Sequence, residues 1–250
     1  MGEPGVWLRF DEDLRFFLAP RHRRLDAVLR PNDGTSTAGH LVSSLGVPLT
    51  EVGSLTVGGR KIPASYRPED GDVIEVAAIT RPQPTPPGRP LRFVLDVHLG
   101  TLARRLRLLG VDTAYANDAD DAELIERANA GERVLLTQDR GLLRRKALRR
   151  GGYVRGARPD QQLRDVIERF APKLAPWTRC PACNGLLQTV PKSEVEDSLQ
   201  PGTRRTYQEF ARCPDCGRVY WRGAHNRRLQ RIVEAAQAAV TTDADQARGT

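Results

Sequence analysis

Two short stretches, Phe93-Val-Leu-Asp96 and Arg133-Val-Leu-Leu-Thr-Gln-Asp139, each run from an apolar core into an acid. Pro90 precedes the first and Gly100 follows it. A continuous apolar run bounded by breakers is the pattern of a strand buried on both faces, as in parallel sheets. In open α/β sheets, ligands and reacting groups collect beyond the carboxyl ends of the strands. Asp96 and Asp139 therefore stand where chemistry is expected.

The elements around them alternate. Leu99, Leu102, Ala103, Leu106 and Leu109 recur at helical spacing, and Gly110 stops that helix. Arg104, Arg105 and Arg107 lie off this apolar stripe. Val111 to Tyr115 reads as a second strand. Asp120-Asp-Ala-Glu123 has the spacing of a capping box and opens a helix that runs to about Ala130. The third strand is Arg133 to Thr137, followed by a strongly basic helix over Gly141 to Arg150. A fourth strand over Gly151 to Arg155 and an amphipathic helix over Asp160 to Phe170 complete the series. Such alternation predicts a parallel α/β sheet for residues 91–175.

Residues 1–80 read as a separate α+β domain. Val6 to Phe10 alternates as a strand, and Leu14 to Ala19 is the expected hairpin partner. Thr37 to Leu45 has helical spacing and ends at Gly46. Ser54 to Val57, a Gly58-Gly59 turn, Lys61-Ile62 and Val73 to Ile79 follow as strands and turn. This order resembles the β-grasp of ubiquitin-like and sulfur-carrier proteins. Val57-Gly-Gly-Arg-Lys-Ile62 and Pro68-Glu-Asp-Gly-Asp-Val-Ile74 carry the likeness. Sulfur carriers end in a free Gly-Gly tail, whereas this strand runs on into Arg81. The expectation is therefore an interaction or RNA-docking module, not a carrier. Residues 81–90, rich in proline, form a stiff extended linker.

The four cysteines fall in two pairs, Cys180-Pro-Ala-Cys183 and Cys213-Pro-Asp-Cys216. Each Cys-x-x-Cys holds two thiolates at a bite suited to tetrahedral Zn²⁺, and two such knuckles complete the shell. The expectation is a zinc ribbon over residues 176–226 with a structural metal. All four positions are cysteine, so none is left open for a catalytic water. Arg179, Arg212, Arg218, Tyr220, Trp221, Arg222 and His225 surround the knuckles. Arginine beside aromatics suits phosphate contact and base stacking. Tyr220 and Trp221 have a plainer alternative, packing the ribbon. A last helix is expected from about Asn226 to Val240, before a polar tail that ends at residue 250.

The formal net charge is +8 and the pI about 9.8, which favours a polyanionic partner, most simply nucleic acid. No run approaches the ~18 apolar residues that a membrane span needs. The start of the chain has no apolar segment after a basic one, so no secretory signal is expected, and the cytoplasm is the expected compartment.

Asp96, Asp139 and Asp121, which opens the helix after the second strand, all belong near one sheet edge. Clustered carboxylates repel unless a cation holds them, and hard oxygen ligands suit Mg²⁺ or Mn²⁺. Phosphodiester hydrolysis uses such a site. Capping the helix that follows is the alternative role for Asp96 and Asp139. Arg104, Arg105, Arg107, Arg144, Arg145 and Lys146, with Arg222 and His225 of the ribbon, are the expected RNA contacts.

Five stretches together resemble the PIN-like ribonuclease family named after the C-terminal region of the Mut-seven exonucleases. They are residues 93–110, 120–124, 133–143, 179–185 and 212–225, ending in Arg212-Cys-Pro-Asp-Cys-Gly-Arg-Val-Tyr-Trp-Arg-Gly-Ala-His225. Bacterial members also carry a preceding ubiquitin-like domain. The resemblance implies a three-layer, PIN-like α/β fold with an appended zinc ribbon and metal-dependent RNase activity. It maps Asp96, Asp121 and Asp139 onto the acidic cluster of PIN domains. A non-catalytic RNA-binding protein on the same scaffold is the alternative. Structured RNA such as tRNA is the expected partner, with a protein partner for the ubiquitin-like domain as a further option.

Overall fold

The computed structural model describes residues 5–84, 90–221 and 234. Its strands in chain order are β1 (Val6–Phe10), β2 (Val28–Arg30), β3 (Val52–Val57), β4 (Arg60–Ile62), β5 (Val73–Ala78), β6 (Phe93–Leu95), β7 (Thr113–Tyr115), β8 (Val134–Thr137), β9 (Gly151–Tyr153), β10 (Gln188–Val190), β11 (Phe210–Arg212) and β12 (Val219–Trp221). The α-helices are α1 (Glu12–Arg15), α2 (Ala38–Ser44), α3 (Gly100–Leu108), α4 (Asp121–Ala130), α5 (Arg140–Leu143), α6 (Pro159–Phe170) and α7 (Pro201–Thr206). Two compact units emerge: residues 1–83 with 121–153, and residues 84–120 with 154–250. No helix among the described residues is long and apolar enough to cross a membrane.

The first unit holds a five-stranded sheet in the order β2-β1-β5-β3-β4. β1 and β5 pair in parallel, and the other pairs are antiparallel. Along β1 burial alternates, with Val6, Leu8 and Phe10 inward and Trp7 and Arg9 outward, as the two-residue period of a half-buried strand requires. Ala38, Leu41, Val42 and Leu45 of the α2 region join the same core. The Thr37 hydroxyl accepts from the His40 N–H at 3.2 Å and caps α2, and Gly46, at φ +101°, ends it. This is the expected β-grasp.

One strand is not where the sequence pattern put it. Leu14 to Ala19 contains part of the short helix α1, and the antiparallel partner of β1 is β2. Leu14, Phe17 and Leu18 are the buried residues of that stretch, a spacing of three and four that fits a helical turn and not a strand. Glu12 and Asp13 in the first turn and Arg15 in the last suit the helix dipole.

The same unit contains α4, β8, α5 and β9. β8 is buried along its whole length and pairs in parallel with β9, Leu135 opposite Gly151 and Thr137 opposite Tyr153. Tyr153 packs against the β-grasp core, with its ring 5.3 Å from those of both Phe16 and Phe17. Glu51, only 6% exposed, accepts from the Tyr153 N–H at 2.8 Å. The Arg140 guanidinium sits 4.1 Å over the Phe16 ring.

The basic helix expected over 141–150 is a correction. Only Arg140–Leu143 is helical, and the chain then proceeds through turns, with Arg145 N–H bonded to Leu142 O and Leu148 N–H to Arg145 O. Asn129 of α4 explains the break: its Nδ2 donates to Ala147 O at 2.7 Å and its Oδ1 accepts from Arg149 N–H at 3.1 Å. Gly151 then passes close beneath the turn, since a Cβ there would lie 2.8 Å from Leu143 and 2.9 Å from Leu148.

In the second unit β6 pairs in parallel with β7, and all three residues of β6 are buried. Leu102, Leu106 and Leu109 bury the inner face of the α3 region. The Phe93 and Phe170 rings meet edge-on at 5.2 Å. The parallel strands with their helices form the expected α/β fold. β10, β11 and β12 make a separate antiparallel sheet in that order, with Val190, Val195, Leu199 and Phe210 as its small core.

Candidate functional site

Asp96 follows β6 directly and is 6% exposed. Its Oδ1 accepts from the His98 N–H at 3.3 Å, which caps the 3-10 turn Val97–Leu99. Asp139 stands two residues after β8 and is exposed. Its Oδ1 accepts from Gly141 N–H at 2.6 Å and Leu142 N–H at 3.3 Å, so it is the N-cap of α5. Both carboxylates thus perform the capping weighed for them from sequence. Asp121 is the first residue of α4, half exposed, with its Oδ2 3.9 Å from Arg145 Nη2. All three are carboxylates, the donor type of Mg²⁺ and Mn²⁺ sites, but among the described residues only the four cysteines gather as a group able to hold an ion.

Six of the seven arginines and lysines expected to meet RNA lie among the described residues, and they divide into two groups. Arg104, Arg144, Arg145 and Lys146 are exposed. Arg105 and Arg107 are not, being 8% and 3% exposed. Arg105 Nη1 lies 2.7 Å from Asp160 Oδ1. Arg107 donates from Nε to Thr113 O at 2.8 Å, and from Nη1 to Ala182 O at 2.7 Å and Pro181 O at 3.3 Å. These two side chains serve the fold. Spacing put them off the stripe of leucines, but a nine-residue helix packed on several sides buries more than one stripe. Arg222 and His225 lie outside the described residues.

The cysteines are the clearest cluster. The four Sγ atoms all lie within 4.8 Å of one another, with Cys180 to Cys216 at 3.7 Å and Cys183 to Cys213 at 3.4 Å. Four thiolates at about 2.3 Å from a central ion would stand about 3.8 Å apart, so the arrangement fits tetrahedral coordination. Local folding explains it. In each knuckle the N–H four residues after the first cysteine bonds back to that cysteine's carbonyl: Asn184 to Cys180 at 2.9 Å and Gly217 to Cys213 at 2.8 Å. The first cysteine's own N–H reaches the carbonyl five residues on, Gly185 or Arg218. Asn184 at φ +75° and Gly217 at φ +73° turn the two loops alike.

Electrostatics divide the cluster: Cys180 is shifted toward thiolate, whereas burial holds Cys183 and Cys213 toward the neutral thiol. Burial opposes ionisation of Cys180, but the Tyr220 hydroxyl at 3.0 Å and the backbone N–H groups of Cys183 and Ala182 outweigh it and bring the thiol down to about 7. Burial, with the neighbouring thiols, pushes Cys183 up to about 12 in the absence of a cation. Burial also lowers the Arg107 pKa, while the Cys183 and Cys180 thiolates favour its charge. Its guanidinium, bonded to the knuckle carbonyls, would offset the negative charge of the cysteines if they held a cation as thiolates. Tyr220 is thereby tied to the cysteine cluster. Trp221 is 36% exposed, with its ring 6.4 Å from Phe210. Arg179 and Arg212 are engaged by Asp112 and Glu194.

Sequence reasoning missed Asn184. Its Oδ1 accepts from Thr113 N–H and its Nδ2 donates to Asp112 Oδ1, each at 2.9 Å, tying the first knuckle to β7. An asparagine after the second cysteine of a knuckle, where a left-handed residue is needed, was the available signal.

No curated protein and no solved structure matches the chain. Two family models do. The Mut7-C ubiquitin model matches residues 3–84, and the Mut7-C RNAse domain model matches residues 91–233. The second spans more than half of the 250 residues and takes in Asp96, Asp121, Asp139 and all four cysteines. The chain belongs to the Mut7-C RNAse domain family, with a Mut7-C ubiquitin-like domain ahead of it.

Proposed function

We propose that the protein is a metal-dependent ribonuclease acting on structured RNA such as tRNA in the cytoplasm. The observation that carries this reading is that two buried strands, β6 and β8, each paired in parallel with its neighbour in its own unit, run into the carboxylates Asp96 and Asp139 within the RNAse-domain match. Asp96, Asp121 and Asp139 are the residues that would hold Mg²⁺ or Mn²⁺. Bound there, such an ion supplies charge stabilisation to phosphate oxygens and acidifies water. The capping bonds hold Asp96 and Asp139 in fixed rotamers, so their carboxylates are positioned before substrate arrives. Exposed Arg104, Arg144, Arg145 and Lys146 supply phosphate contacts that weaken as salt rises. The four cysteines hold a structural zinc that fixes the ribbon.

A second reading is a non-catalytic RNA-binding protein. It is favoured by one observation, that Asp96 and Asp139 already serve as caps. The test is cleavage of end-labelled tRNA and unstructured RNA with Mn²⁺, Mg²⁺ or chelator, alongside Asp96→Asn and Asp139→Asn. Metal-dependent cleavage lost in both variants supports hydrolysis. RNA that is bound tightly yet stays whole under every metal supports the second reading.

A further inference from the structure

A cavity of about 450 Å³ opens in the first unit, lined on one side by the α2 region of the β-grasp and on the other by the turn after α5. The α5 side brings Arg144, Arg145 and Lys146, three consecutive exposed cations. The β-grasp side brings His40 and the hydroxyls of Thr37 and Ser43. Among the described residues no carboxylate lines the cavity, and Asp121, outside the lining, stands 3.9 Å from Arg145. Cations opposite hydroxyl and imidazole donors, with no competing acid in the lining, form a site for a phosphate diester.

The two walls are held together. Glu51 accepts from Tyr153 N–H at 2.8 Å, and the Phe16, Phe17 and Tyr153 rings meet at 5.2–5.3 Å. The turn after α5 is itself pinned by Asn129. The cavity is therefore set by packed elements on both sides, which limits the ordering that binding would cost.

We propose that the ubiquitin-like domain forms half of the RNA-binding site in cis, through a phosphate-diester pocket shared by His40, Thr37 and Ser43 with Arg144, Arg145 and Lys146. This rests on the RNA reading above and gives the N-terminal domain its partner: the backbone of the same RNA.

The informative variant is His40→Glu. It places a carboxylate in the pocket. It also sets a glutamate three residues after the N-cap Thr37, the spacing of a capping box, so α2 is supported and not weakened. Thr80→Glu, which likewise adds a carboxylate but at an exposed residue outside the lining, is the control. RNA affinity of the full chain is measured by titration of labelled tRNA at several salt concentrations, separately from cleavage. The expected result is roughly a tenfold loss for His40→Glu and a shallower salt dependence, by about one unit in the slope of log affinity against log salt. Arg144→Glu should give the same phenotype, and Thr80→Glu should match wild type. If His40→Glu binds as wild type does while Arg144→Glu is impaired, the shared pocket is overturned and the RNA reading stands. If wild-type protein binds no RNA, both fall.

Discussion

The side-chain oxygen of Asn184, in the turn of the first cysteine knuckle, accepts the backbone N–H of Thr113 at the start of β7. With the bond from Asn184 Nδ2 to Asp112, the side chain spends both its acceptor and a donor on one strand end. The ribbon and the α/β layer of the second unit are thereby one piece. Asn184→Gly keeps the left-handed backbone but removes both bonds; Asn184→Ala adds backbone strain. The expected losses are about 2 kcal/mol for Gly and about 3 kcal/mol for Ala. Urea unfolding followed by circular dichroism gives the ranking, and equal losses would contradict it.

Arg107 makes the same join from the other direction. Replacing it with methionine leaves the carbonyls of Thr113, Pro181 and Ala182 without their donor. The expected destabilisation is about 3 kcal/mol, with the salt slope of RNA binding unchanged. An unaltered midpoint of unfolding together with a reduced salt slope would make Arg107 a phosphate contact instead.

Removal of metal should act on the ribbon first. Cys213→Ser, or a strong chelator, should abolish stoichiometric zinc in elemental analysis and expose amides of β10 to β12 to hydrogen exchange. Protection in β1 and β5 should stay. With an ion bound, the four cysteines would cross-link the second unit, as four-cysteine sites do in small domains.

Gly110 tests the packing of α3. At φ +80°, a Cβ on this residue would lie 2.0 Å from Ala175 O. Gly110→Ala should lower the melting temperature by more than a helix-ending glycine alone would predict, with a loss above about 2 kcal/mol. A variant as stable as wild type would show that the 175–178 segment can give way.

Asp33 offers a pH handle on the β-grasp. The N–H of Ser36, then its hydroxyl and the N–H of Thr35, hold the carboxyl well below the usual range. A depressed folded pKa stabilises above the unfolded value of about 3.9 and is lost as pH falls through the folded one. The melting temperature of Asp33→Ala should therefore fall below wild type at neutral pH and approach it only as pH drops from the unfolded value of about 3.9 through the much lower folded one. A constant gap across that window would deny the linkage.

Much of this was legible from residue order. β6 and β8 announced themselves as apolar runs ending in acids, the knuckles by their spacing, and α2 by its leucines and Gly46. What was not legible depended on partners distant in sequence. The basic run after Leu143 keeps helical composition, but Asn129 takes the backbone of residues 147 and 149 and prevents a helix. Arg105 and Arg107 look like surface charge until Asp160 and the knuckle carbonyls come to meet them. Strand β2 was overlooked because three residues carry little pattern, while Leu14 to Ala19 carried enough for a helix as well as a strand.

The contact of Tyr153 and Arg140 with Phe16, Phe17 and Glu51 bears on what a domain border means in this chain. The proline-rich stretch marks where one family match ends and the next begins, yet stability does not change hands there. A protease that severed the chain between Gln83 and Pro90 would leave the N-terminal fragment seated on residues 121–153, a nicked protein in place of two separated ones.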